Sequence, residues 1–148
     1  MRHFPVYLFD VDGTLVDSAS DICGAIQAAL AGTPQNAVGD EFLRSYIGRH
    51  LIDLFQDLLP HYSREQMDAL VVDYRRIYLA QNHTRTSVYP GVAEALAALP
   101  GRKSTATTKG TPTTRAVLEM FGYCHTSNTF KALTGSPPSP NRTSSMLH

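Results

Sequence analysis

Val6-Tyr7-Leu8-Phe9-Asp10-Val11-Asp12-Gly13-Thr14-Leu15-Val16-Asp17-Ser18 decides how the rest of the chain is read. Four apolar residues run without interruption and stop at a polar turn with a glycine, the pattern of a buried parallel strand followed by a functional loop. Chemistry is expected where that strand ends. Two carboxylates two residues apart just past a strand can share one cavity, one as nucleophile and metal ligand, the other as proton donor. Anions so close need a cation, and Mg²⁺ supplies one through oxygen-only coordination, neutralising carboxylate and phosphate together. Gly13 lets the backbone approach, and amides near Gly13 and Thr14 can hydrogen-bond phosphoryl oxygens.

Outward from this stretch, Ile22, Ile26, Ala29 and Leu30 recur at helical spacing between Asp17 and about Ala31, with Ser18 or Ser20 available as N-cap. Three more helices are expected: Asp40 to Ile47, Leu51 to Leu59, and Arg64 to Gln81, the last striped by Leu70, Val71, Tyr74, Ile77 and Tyr78. Then come the turn Tyr89-Pro90-Gly91, a short helix from Val92 to Leu99, a β-branched strand from Lys103 to Thr108, and a helix from Thr113 to Phe121. Strand, helices, strand and helix describe an α/β core interrupted by an all-helical segment.

Composition narrows the functional classes. The 148 residues are 43% hydrophobic, enough for one core, and 13 basic side chains balance 13 acidic ones. No run of positive charge builds the field that nucleic acid requires, so a small-molecule partner is expected. The N-terminal apolar run is too short and too soon charged for a signal peptide or membrane span, and Cys23 and Cys124 form no disulfide framework. These features point to a cytoplasmic protein, with Cys23 a small core residue. His50, His61 and His83 lack metal-ligand spacing and are expected to be solvated or partly packed.

The segment Asp10 to Ser18 resembles the first signature of the haloacid dehalogenase superfamily at every position that carries chemistry. The resemblance implies a nucleophilic Asp10, a general acid/base at Asp12, and Mg²⁺ held by both. It also implies a phosphatase rather than a dehalogenase, because the dehalogenating branch lacks an acid at the position of Asp12. The family's second signature, a hydroxyl residue ending the next core strand, is matched by Ala106-Thr107-Thr108-Lys109-Gly110. By register with the phosphoglycolate phosphatases, Thr107 donates to the phosphoryl group and Thr108 stands where that branch has asparagine. Lys109 is near the site but is not the family's catalytic lysine, which lies much later.

The same resemblance implies a Rossmann-like three-layer α/β core, incomplete here, with an inserted four-helix cap. Residues 1–16 and 89–122 form the partial core and 17–88 the cap. Ile47-Gly48-Arg49 resembles the cap loop facing the substrate, so that Arg49 contacts a carboxylate or phosphate. The implied reaction is hydrolysis of a small phosphomonoester, phosphoglycolate first. Two alternatives stay open: a phosphomutase of the β-phosphoglucomutase type, and a non-catalytic remnant.

The resemblance covers Val6 to about Gly122. From Met120 onward there is no Asp or Glu, and Ser, Thr, Pro and Asn dominate. Neither the family's later lysine nor its distal acidic pair follows. Back-translating Tyr123 to His148 with suitably chosen synonymous codons and reading from the third base yields LPHFEHVQGTDGFPAKPKPDVLHAA. That string looks like a further core strand followed by the family's Lys-Pro-x-Pro-Asp segment. The tail is accordingly expected to be out of frame after one lost base near the codon of Tyr123, the alternative being a natural disordered terminus.

Overall fold

Residues 4–123 and the pair 132–133 are described by the structure, a computed structural model. In chain order the elements are β1 (Val6–Phe9), β2 (Val16–Asp17), α1 (Ala19–Leu30), α2 (Asp40–Arg44), α3 (Leu51–Leu58), α4 (Arg64–Ala80), β3 (Ser87–Val88), α5 (Val92–Ala98), β4 (Arg102–Ala106), α6 (Thr111–Met120) and β5 (Ala132–Leu133).

The main sheet has the order β1-β4-β5 and is parallel throughout, with Val6 opposite Arg102 and Phe9 opposite Thr105. Two core strands are expected from the sequence, and a third is found: Ala132–Leu133 pairs with Thr105 and Ala106 on the side of β4 away from β1. The rest of the tail, Cys124 and the segment read as out of frame included, lies outside the described residues. β1 is parallel as expected but not buried. Among the described residues it is an edge strand, and Val6 and Leu8 are 46% and 57% exposed.

Four helices, α1 to α4, are inserted between β2 and β3. These two short strands pair antiparallel, Val16 with Val88 and Asp17 with Ser87, so the chain enters and leaves the helical insert side by side. Two-residue strands carry no periodicity, and none is expected from the sequence here. Just after β2, Asp21 of α1, fully buried, accepts hydrogen bonds from the Arg85 amide (3.0 Å) and the Thr86 hydroxyl (2.6 Å), two residues that lead into β3. That carboxylate pins the start of the insert to its end.

Within the insert, α1 packs most extensively on α4, and α4 is started by a capping box. The Ser63 hydroxyl accepts from the Gln66 amide, and the Gln66 side chain accepts from the Ser63 amide. Helix α1 starts differently. Ser18 stands at its N-cap, where its side chain makes no capping bond, and its hydroxyl donates to Asp12. One apolar cluster joins Val11, Leu15 and Val16 near the turn, Ile22 and Ile26 of α1, Leu54 and Phe55 of α3, Tyr78 of α4 and Val117 of α6. Cys23 belongs to it, and burial followed by the nearby Asp40 charge raises its thiol pKa to about 11, the behaviour of a core residue. No helix among the described residues is long and apolar enough to cross a membrane.

Candidate active site

The turn after β1 is held by backbone hydrogen bonds from the amides of Leu15 and Val16 to the Val11 carbonyl and from Gly13 to Val16. Gly13 adopts φ +80°, a left-handed conformation that other residues take at a cost. The two acids leave this turn into different surroundings. Asp10 is exposed, and its Oδ1 accepts from the Val11 amide at 2.8 Å. Asp12, with its side chain only 10% exposed, accepts from the Ser18 hydroxyl and from Lys109 Nζ, which lies 3.2 Å from Oδ1 and 3.1 Å from Oδ2.

Lys109 comes from the loop between β4 and α6. Its backbone is fixed from both sides: its amide donates to Thr107 Oγ1 (3.1 Å) and its carbonyl accepts from Thr114 Oγ1 (3.4 Å). Burial pushes the ammonium's pKa down, and the charge and hydrogen bonds of Asp12 push it back up. The Nζ also lies 4.2 Å from the centre of the Tyr78 ring. The sequence places Lys109 near the site, whereas its direct ion pair with Asp12 is a finding of the structure.

Thr107 is buried at the end of β4, its hydroxyl accepting from Lys109 and keeping its own O–H to donate. The expected strand ran to Thr108, but β4 ends at Ala106, because Thr107 turns its side chain back onto the loop. Thr108 is exposed and donates to the Gly48 carbonyl of the helical insert (3.3 Å). Arg49, next to that carbonyl, lays its guanidinium 4.4 Å from the centre of the Tyr46 ring.

A cavity of about 210 Å³ opens between the insert and the loop after β4, and Asp12, Arg49, Tyr74, Arg75, Thr108 and Lys109 are part of its wall. It thus brings together three of the residues singled out from sequence, Asp12, Arg49 and Thr108. Asp10, Gly13, Thr14 and Thr107 are not part of that wall. Arg75 is an addition: on α4, its Nε and Nη2 lie 3.9 Å from where a Cβ of Gly110 would stand. Nothing in the helical pattern distinguishes it from a solvated arginine. Of the histidines, His50 lines the cavity and His83, expected to be solvated or partly packed, is buried at 5% exposure.

The donor set offered to a cation is all oxygen, from Asp10 and Asp12, and suits a hard ion such as Mg²⁺. Among the described residues no group of three or more His, Cys, Asp or Glu side chains converges on one point.

Residues 7–138 match the Haloacid dehalogenase-like hydrolase family, past Gly122, where the resemblance read from the sequence stops. The chain is 34% identical over 95 residues to phosphoglycolate phosphatase 1 of Pseudomonas aeruginosa, covering 60% of this chain and 35% of that one. It is 34% identical over 124 residues to the probable phosphatase IndB of Dickeya dadantii, covering 80% of this chain and 54% of that one. The crystal structure of a predicted phosphatase from Clostridium acetobutylicum superposes with a TM-score of 0.76 at 25% identity, covering 88% of this chain and 60% of its own. The chain thus spans about a third to just over half of these curated relatives. On the extent of the family match, from β1 through both signatures, the chain belongs to the haloacid dehalogenase-like hydrolases.

Proposed function

We propose that the chain carries the nucleophile half of a Mg²⁺-dependent phosphomonoester hydrolase, with phosphoglycolate its first substrate. The observation that carries this reading is the pair of acids on one turn: Asp10 open to solvent, Asp12 walled into a cavity with Thr108 and Lys109. The Asp10 carboxylate attacks phosphorus, the ester P–O bond breaks, and Asp12 delivers a proton to the departing alkoxide. Asp12 then takes a proton from water, whose oxygen attacks the phosphoaspartate and releases phosphate. Oxygens of Asp10 and Asp12 would hold Mg²⁺, which would supply charge neutralisation when bound.

The remaining roles follow the same reading. Amides near Gly13 and Thr14 hold phosphoryl oxygens, Thr107 donates its free O–H to the phosphoryl group, and Thr108 fixes the loop against the insert. Arg49 meets the substrate's second anionic group. Residues 17–88 act as a cap that closes over the site and sheds water, and 1–16 with 89–122 form the core beneath it. The partner is a small phosphorylated metabolite in the cytoplasm. Residues 123–148 are read out of frame, which the abrupt loss of acids after Glu119 supports.

The test is phosphate release from phosphoglycolate by the gene product with one base restored near the codon of Tyr123, alongside its Asp10→Asn variant. Release that depends on Asp10 is expected. Undiminished release by Asp10→Asn would sink the nucleophile assignment, and a genomic sequence intact through that codon would sink the frame.

A further inference from the structure

We propose that the site is built for a phosphorylated 2-hydroxy acid whose second carbon bears an apolar group of about benzene size, phosphoglycolate being the smallest member of that class. This rests on the phosphomonoester hydrolase reading, and it names the kind of alcohol that departs.

The cavity beside Asp12 carries the inference. The leaving oxygen belongs at Asp12, which is part of the cavity wall, so whatever the alcohol carries beyond that oxygen lies in the cavity. The wall offers two chemistries. Arg49 and Arg75 supply guanidinium groups, and among the described residues neither is in an ion pair, whereas Asp12 and Lys109 neutralise each other. A carboxylate on the alcohol therefore finds a cation there that no protein acid holds. The wall is otherwise rich in aliphatic side chains: Ile47 from the loop after α2, Leu51 and Ile52 at the start of α3, and Val71 of α4. These four are only partly buried, so they retain apolar surface that a ligand can cover. The volume decides how large that ligand is. Glycolate carries only hydrogens on its second carbon and leaves the aliphatic wall facing water, whereas an apolar cavity of about 150 Å³ already takes up benzene, and this one has about 210 Å³. One substituted carbon thus places an oxygen at Asp12, a carboxylate toward the arginines and an apolar group against α3 and α4.

The experiment is isothermal titration calorimetry on the purified 148-residue chain with Mg²⁺ present, which reads binding and needs no turnover. The ligands are phosphoglycolate, each enantiomer of 2-phosphonooxy-3-phenylpropanoate, and 2-phenylethyl phosphate, which keeps the ring and lacks the carboxylate. Burying a side chain of that size tightens binding about tenfold or more, so one enantiomer of the phenylpropanoate ester is expected to exceed phosphoglycolate by that factor. It is also expected to exceed 2-phenylethyl phosphate about tenfold, the worth of a hydrogen bond to a charged group. Val71→Phe puts a ring into the aliphatic part of the wall and is expected to abolish the first advantage while leaving phosphoglycolate binding unchanged. Phosphoglycolate binding as tightly as both enantiomers to wild type would overturn the proposal, whether or not Val71→Phe folds. So would 2-phenylethyl phosphate matching the phenylpropanoate ester, an advantage that persists undiminished in folded Val71→Phe, or no binding of any ester. Phosphate release from phosphoglycolate by the frame-restored product, measured separately, reports on the hydrolase reading. Release that depends on Asp10, with no preference for the larger ester in binding, would sink the substrate class alone, and absence of release would sink the reading beneath it.

Discussion

The ammonium of Lys109 lies 4.2 Å from the centre of the Tyr78 ring, so a core loop and a helix of the insert meet through a cation over an aromatic face. The ring makes that contact, not the hydroxyl. Tyr78 is fully buried, and its Oη is among the buried polar atoms that find no hydrogen-bond partner among the described residues.

Tyr78→Phe therefore keeps the ring over Lys109 and removes an unpaired polar atom. Its expected effect is neutral to stabilising by up to about 1 kcal/mol. Tyr78→Ala, which removes the ring, is expected to cost about 3–5 kcal/mol. Urea denaturation followed by far-ultraviolet circular dichroism separates the two. A loss of more than about 1 kcal/mol in Tyr78→Phe would mean that the hydroxyl has a partner after all.

His83 sets a pH dependence. It follows α4 in a left-handed backbone conformation with φ +53°, packs edge-on against Tyr78, and is buried with no partner for Nδ1 among the described residues. Burial first, and the Lys109 charge second, lower its pKa from the usual 6.5. The folded chain therefore resists protonating His83, whereas the unfolded chain protonates it at about pH 6.5. Stability contributed by the neutral ring is present above that pH and is lost as pH falls toward the lower folded value. His83→Asn suits the left-handed backbone and has no such proton to take up. Between pH 7.5 and 5.5 the urea midpoint of wild type is expected to fall further than that of His83→Asn. Equal falls would contradict the assignment.

Most of this arrangement was legible where a local rule decides it. The apolar run before Asp10, the glycine turn after it and the 3.6-residue stripes of α1 and α4 are properties of neighbouring residues, and their elements fall within a few positions of expectation. What depends on distant partners was not. Ser18 or Ser20 was available to cap α1; Ser18 stands at the N-cap, but its side chain accepts no helix amide, and nothing local shows that its hydroxyl donates to Asp12. The ion pair of Lys109 with Asp12 joins residues 97 apart. Asp21 reads as a first-turn helix acid, the usual complement to a helix dipole, and only the fold brings Arg85 and Thr86 to it. His83 was expected to be solvated or partly packed, and its burial comes from packing against Tyr78 rather than from any periodic pattern.

The chain as it stands is expected to show little or no turnover of phosphoglycolate with Mg²⁺. Among the described residues Asp10 and Asp12 have no third acid beside them, and Lys109, bound to Asp12, is not free to offset charge on a phosphorylated Asp10. Losing one well-placed charge stabiliser commonly costs about 10²–10³ in rate. With the frame restored, activity is expected to return, Asp10→Asn to abolish it and Asp12→Asn to be nearly as damaging through the leaving group. Robust Asp10-dependent phosphate release by the 148-residue chain itself would refute the first of these outcomes.

The edge strand β1 sets the last expectation. It pairs with β4 along one side, and no strand among the described residues pairs with the other, which leaves backbone amides and carbonyls able to template another chain. The side chains reinforce this: Phe4, Val6 and Leu8 are 56%, 46% and 57% exposed, in an apolar run that reads as a strand meant for burial on both faces. The helical insert is better served, since α1, α3 and α4 bury their apolar stripes against one another. The purified chain is therefore expected to be helical by circular dichroism yet to self-associate, and to be cut by protease after Pro90 far faster than within residues 64–81. Leu8→Lys, which puts a charge on the exposed edge, is expected to shift the chain toward monomer in size-exclusion chromatography with light scattering. A monodisperse monomer at about 100 μM, protected uniformly from Val6 to Phe121 and indifferent to Leu8→Lys, would show that the free edge of β1 is covered.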